Sequence, residues 1–113
     1  MITGGRAHRT NTDNDYIERI QEVILRLLDA ESTWVESVHV REVFQGRTIW
    51  QGPVEVFTLR NYPKAKRCFA WSYKKVEDSI ERFVAVLEMP PIKSAHDAVK
   101  LVIAREVREN QKK

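Results

Sequence analysis

The chain has 113 residues, a formal net charge of +3 and a single cysteine, and 31% of its residues are charged. This length predicts one domain, because two cores would each bury too little apolar surface to be stable. The composition excludes a largely disordered chain, and one cysteine excludes an intrachain disulfide framework.

The location and the limits of the domain follow from the same composition. No apolar stretch reaches the roughly 20 residues of a membrane-spanning helix, and residues 1–15 are too polar for a signal peptide. The sequence therefore predicts a small cytoplasmic protein of bacterial type, because a single free cysteine fits a reducing compartment. We expect a flexible N-terminal tail at residues 1–12, a single α+β domain at residues 13–110 and a frayed C-terminus at residues 111–113.

A helix is predicted over residues 13–30. Its apolar side chains recur at helical spacing and form one stripe: Ile17, Ile20, Val23, Ile24, Leu27 and Leu28. Such a stripe has to be buried against another element. Because the middle of the chain favours strands, we expect this helix to cover a sheet.

Two strands follow, over residues 33–44 and 48–59. The first contains four valines, whose branched side chains favour a strand. Its alternation fails at residues 42–44, which predicts a bulge. Gly46 predicts the turn at residues 45–47, and Pro53 predicts a bulge or an edge within the second strand.

The third strand, residues 67–73, has an unusual alternation. One face carries the small side chains of Cys68, Ala70 and Ser72, and the other carries Phe69, Trp71 and Tyr73. The small face predicts close packing against a helix. A fourth strand over residues 80–89 is also apolar on both faces.

A last helix is predicted from Ser94 onwards, because Ser94 and Asp97 have the spacing of a capping box. The predicted fold is therefore α+β: a four-stranded antiparallel meander with the N-terminal and C-terminal helices packed on one face (α-β-β-β-β-α). We expect Leu27, Ala70 and Val102 to be buried together in its core.

The sequence contains no catalytic signature. There is no nucleophile elbow, no paired-carboxylate motif and no glycine-rich phosphate loop. The three histidines and Cys68 do not have the spacing of metal ligands, and Cys68 is interpreted as a buried structural residue. We predict no catalytic, cofactor-binding or metal-binding residues and no cofactor, and the sequence favours a protein that is not an enzyme without deciding the question.

The leading hypothesis for function is an interaction or accessory domain that forms a homodimer through its sheet. If both helices cover one face, the apolar residues of the other face need a partner. Aromatic residues are enriched in the anchors of protein interfaces. The candidate interface residues are Trp50, Phe57, Phe69, Trp71 and Tyr73.

The alternative hypothesis is a module that binds single-stranded nucleic acid through residues 60–75. This stretch contains six cations and no acidic residue, and sheets that bind single strands combine such cations with exposed aromatic rings. The candidate cations are Arg60, Lys64, Lys66, Arg67, Lys74 and Lys75.

Overall fold

The order and the pairing of the elements confirm the predicted α+β meander. The computed structural model describes residues 11–74 and 78–111, with the side chains of residues 14–74 and 78–106. The elements are helix α1 (Asn11–Leu28), strands β1 (Glu31–Phe44), β2 (Arg47–Arg60), β3 (Arg67–Lys74) and β4 (Glu81–Leu87), and helix α2 (Ala95–Gln111). The strands form one antiparallel sheet in the order β1-β2-β3-β4. Most of the predicted tail, and all but the first residue of the predicted frayed end, lie outside the described residues.

The two helices lie on opposite faces of the sheet, so the prediction of a shared face is wrong. Helix α1 packs through Ile17, Ile20 and Ile24 on a cluster that includes Cys68 and Ala70. Helix α2 contributes to a separate cluster on the other face. Its members include Ala95, Ala98 and Val99 of the helix, with Val54, Val56, Phe69 and Trp71 of the sheet. Each face therefore has its own core.

Strand alternation explains why two covers are needed. In β3, Cys68 and Ala70 face α1, whereas Phe69 and Trp71 face α2. The β4 side chains divide in the same way: Phe83, Ala85 and Leu87 face α1, and Val84 and Val86 face α2. The small side chains on the α1 side of β3 allow close approach of the helix, as the sequence predicts.

The predicted common core is also wrong in detail. Ala70 is buried beneath α1, but Val102 packs in the α2 cluster on the opposite face. Leu27 is 64% exposed, because the stripe of α1 that meets the sheet is narrower than the sequence pattern suggests. Leu28, one residue further on, is the leucine that packs against the α1 core.

Strands β1 and β2 form a long hairpin. Gln45 and Gly46 both have positive φ and make the two-residue turn, as is usual where two twisted strands connect tightly. The predicted irregularity is confirmed by a register shift between Glu42 and Val43. A second shift, between Trp34 and Glu36, was not predicted.

The hairpin extends beyond the rest of the sheet. Strand β3 pairs with β2 only from Glu55 to Thr58, so the part of β2 nearer the turn has only β1 as its neighbour. Pro53 lies in this part, which agrees with the predicted edge. We call residues 38–53 the arm and its end at residues 43–49 the tip.

The start of α2 is held by the predicted cap. The Asp97 amide donates to Ser94 Oγ at 3.1 Å, and Asp97 Oδ2 accepts a hydrogen bond from the Lys93 amide at 3.0 Å. The first bond satisfies a backbone donor that a helix leaves unpaired at its first turn, and the second ties the residue before Ser94 to the helix. Within the described residues, no helix combines the length and the apolar character needed to cross a membrane.

Candidate interaction surface

Most of the predicted interface residues lie inside the protein. Phe57, Phe69 and Trp71 are at most 2% exposed and belong to the two cores. Trp50 and Tyr73 are half-buried beside α2, and the rings of Trp50 and Trp71 pack with their centroids 6.0 Å apart. The set therefore does not form an open sheet face that a second subunit could cover, because α1 covers Phe57 and α2 covers the other four residues.

The predicted nucleic-acid residues are spread along the molecule. Arg60 pairs with Glu31 at 2.9 Å, and Lys64 and Lys66 lie exposed in the loop before β3. Lys74 is the last residue of β3, about 23 Å from Arg67 at the start of the strand. Lys75 lies outside the described residues.

Arg67 has a structural partner in β4. Its guanidinium donates from Nε and Nη2 to the two carboxylate oxygens of Glu88, at 3.0 and 2.7 Å, and lies over the Phe69 ring. This bidentate bond lowers the pKa of Glu88. Because Phe69 and Trp71 are buried, the cations of residues 60–75 have no exposed aromatic platform from β3 beside them.

The described residues give no basis for a metal or thiol site. No group of three or more His, Cys, Asp or Glu side chains among them is placed to hold a metal ion. Cys68 is buried against α1, and this burial raises the pKa of its thiol to about 12. The thiol therefore stays protonated at neutral pH, and a protonated thiol is a poor nucleophile.

A polar chain ties α1 to the end of β3. The Ser72 amide donates to Tyr16 Oη at 3.0 Å. The Ser72 hydroxyl donates to Glu81 Oε2 at 2.9 Å, so its single hydrogen is used there, and the Tyr16 hydroxyl is the donor in the 3.1 Å bond between the two hydroxyls. Arg19 Nη1 donates to the other oxygen of Glu81 at 2.9 Å.

This chain has consequences for titration. Burial raises the pKa of Tyr16, so its hydroxyl remains neutral at physiological pH. The hydrogen bond from Ser72, helped by Arg19, lowers the pKa of Glu81. The ionised form of Glu81 therefore stabilises the fold above the pKa of an unfolded carboxyl, and this contribution is lost as the pH falls through the lowered pKa of the folded state.

We expect Tyr16→Phe to lower the free energy of unfolding by about 1–2 kcal/mol, because the Ser72 amide loses its acceptor in a partly buried place. Tyr62→Phe is the matched control, since the Tyr62 hydroxyl has no hydrogen bond to the described part of the chain, and it should change stability by less than about 0.5 kcal/mol. Urea unfolding of both variants measures the difference. Equal losses would mean that the polar chain contributes nothing specific.

A buried carboxylate, that of Glu55, lies in the sheet at the base of the arm. Glu55 is 3% exposed, and its Oε1 accepts hydrogen bonds from Trp34 Nε1 at 2.8 Å and from the Ser37 hydroxyl. A carboxylate in such a place needs donors, and the neighbouring strand provides these two. The pair of bonds links β1 to β2 where the arm leaves the sheet.

Three of the seven large apolar side chains that are exposed among the described residues lie at the tip of the arm. Val43, Phe44 and Ile49 are between 45% and 59% exposed, and all three lie within three residues of the turn. These three residues are not among the interface residues predicted from the sequence. They lie at the register shift, where strand alternation does not tell which side chains turn outwards.

One face of the arm is supported and the other is open. On the α2 side, Val40 is buried and Val38 and Trp50 pack on the α2 core. His96 Nε2 of α2 is hydrogen-bonded to Glu42 of β1. On the other side every residue is exposed: His39, Arg41, Val43, Thr48, Gln51 and Pro53.

Comparison with known proteins adds no relative. No protein-family model, curated protein or solved structure shows significant similarity to the chain. The arm is thus the candidate interaction surface on its own geometry.

Proposed function

We propose that the chain is an interaction domain that associates with a second copy of itself, and that the tip of the arm is its contact surface. The observation that carries this proposal is the exposure of Val43, Phe44 and Ile49 together at the end of a projecting hairpin. Exposed apolar clusters of this kind mark interaction sites on soluble proteins.

The support beneath the arm also favours a contact role. An isolated two-stranded hairpin is marginally stable in water. This arm packs on α2 through Val40 and Trp50, and the contact between His96 and Glu42 adds a polar link. A pre-organised surface loses little conformational entropy on binding, which leaves more of the contact energy for affinity.

The arm is also the part of the sheet where one face is not covered by a helix. Helices α1 and α2 cover the two faces of β3 and β4, so self-association through an open sheet face has no physical basis. A cytoplasmic location stays part of the proposal, because the lone buried Cys68 suits a reducing compartment.

The expected result is a reversible dimer that Phe44→Glu weakens at least tenfold, since a charge at a central apolar contact costs on the order of 1.4 kcal/mol or more. Sedimentation velocity between about 1 and 100 μM measures this. Ile80→Glu is the control, because Ile80 is equally exposed, at 58% against 59% for Phe44, but lies before β4. A wild-type monomer throughout this range would contradict the proposal.

A further inference from the structure

An open groove lies between α1 and the start of β1. It has a volume of about 410 Å³ and is lined by Glu18, Gln21, Glu22, Leu25, Glu31 and Ser32. Gln21 Nε2 donates to the Ser32 carbonyl at 3.0 Å and fixes the helix against the strand at this place. The groove is shallow and open to solvent, and it contains an apolar residue, Leu25, that is 49% exposed.

The charge of the groove is negative and incompletely compensated. Glu31 pairs with Arg60, whereas Glu18 and Glu22 form no ion pair with any residue that the structure describes. These two carboxylates are four residues apart on one helix, a spacing at which like charges repel each other. A cation that enters the groove would relieve this repulsion.

The tip of the arm has the complementary character. Its apolar side chains are flanked by two exposed cations, Arg41 and Arg47. Arg41 Nε donates to Thr48 Oγ1 at 2.9 Å, which holds this guanidinium along the arm, and Arg47 is next to the turn. An apolar centre with a basic border matches an apolar floor with an acidic border.

The positions of tip and groove allow both contacts to form at once. Glu31 begins β1 and Phe44 ends it, so the groove and the tip lie at opposite ends of a strand of 14 residues. At about 3.3 Å per residue this separation is roughly 43 Å. Strand β1 is the edge strand of the sheet. A two-fold axis that passes beside this edge at the middle of β1, perpendicular to the strand, therefore brings each tip to the groove of the other copy, which closes the assembly as a dimer.

We propose that the groove between α1 and β1 is the docking site for the arm of a second copy, so that the dimer contains two identical arm-in-groove contacts. This inference rests on the proposed self-association and specifies its geometry. Leu25 meets the apolar tip, and Glu18 and Glu22 face the cations of the arm.

Charge reversal followed by mixing tests the arrangement. One variant has a basic groove (Glu18→Lys with Glu22→Lys), and the other has an acidic arm (Arg41→Glu with Arg47→Glu). In each homodimer like charges would meet, so each variant alone should dimerise at least about tenfold more weakly than the wild type. In the mixed dimer both contacts join opposite charges, so an equimolar mixture should recover dimer to within about threefold of the wild type.

The outcomes separate this inference from the proposed function. The inference is overturned if the mixture stays monomeric, or if the basic-groove variant dimerises as well as the wild type. If Phe44→Glu weakens the dimer in the same series, self-association through the tip stands and only the docking site is wrong. Lys64→Glu with Lys66→Glu is the charge control, since both lysines are exposed and neither belongs to the arm or to the lining of the groove.

A second pair of variants tests the apolar contact without changing the border charges. Leu25→Glu should weaken the dimer at least about tenfold, whereas Leu27→Glu should leave it unchanged within about twofold. Both leucines are exposed on α1, but only Leu25 lines the groove. Equal effects of the two substitutions would overturn the docking site, and circular dichroism verifies that each variant is folded.

Discussion

Ile24→Ala should lower the free energy of unfolding by about 2–5 kcal/mol, whereas Leu27→Ala should change it by less than about 0.5 kcal/mol. Ile24 is fully buried in the α1 core with Phe57 and Cys68, and its truncation leaves a cavity under the helix. Leu27 is 64% exposed, so little contact is lost when its side chain is shortened. The two substitutions compare aliphatic residues one turn apart on one helix.

Urea unfolding at about 1 μM measures both changes in a range where association contributes little. The m-value should stay constant in both variants, which would show that the change lies in stability and not in the extent of unfolding. Similar losses for Ile24→Ala and Leu27→Ala would mean that Leu27 also packs against the sheet, which would contradict the exposed position of Leu27 in the structure.

The elements themselves could be predicted from the sequence because their signals are local. The stripe of α1, the glycine of the hairpin turn and the cap formed by Ser94 and Asp97 each depend on residues close together in the chain. The meander followed from short connections between consecutive strands. These features were confirmed, including the irregularity near Glu42.

The placement of the helices could not be predicted in the same way. Strand alternation tells that both faces of β3 and β4 are apolar, but it does not tell which helix covers which face. If both helices shared one face, the apolar residues of the other face would be uncovered, and a dimer would be needed to bury them. The placement of α2 on that face removes this reason for dimerisation.

Most of the interface residues predicted from the sequence are buried in the structure, because residue type alone does not tell whether a side chain is exposed to solvent. Phe69 and Trp71 have the composition of an interface and also that of an inner strand, and only the packing of α2 distinguishes these cases. A signal for the arm was nevertheless present. The two strands predicted at 33–44 and 48–59 are longer than the strand predicted at 67–73, so part of the hairpin had to extend beyond its neighbour.

The clustered charges show the same limit. Six cations within residues 60–75 are close in sequence, but a strand places its two ends far apart in space. Arg67 is also committed to Glu88, a partner from β4 that no local pattern indicates. The complementary charges of the arm and the groove are distant in sequence, and the fold is needed to compare them.

Trp71→Ala should lower the free energy of unfolding by about 3–5 kcal/mol, the range for truncation of a large buried aromatic residue. Trp71 is 2% exposed, belongs to the α2 core and packs on Trp50. Trp50→Ala is the control and should cost less, because Trp50 is only half-buried. Thermal and urea unfolding measure both losses.

The dependence on protein concentration distinguishes a core residue from an interface residue. If Trp71 belongs to the core of each chain, the stability lost in Trp71→Ala is the same at about 1 and 100 μM, and Trp71→Glu unfolds the chain because a buried charge has no partner there. If Trp71 instead lies at a subunit contact, Trp71→Glu gives a folded monomer with nearly wild-type stability at low concentration. That second result would contradict the placement of α2 over this face of the sheet.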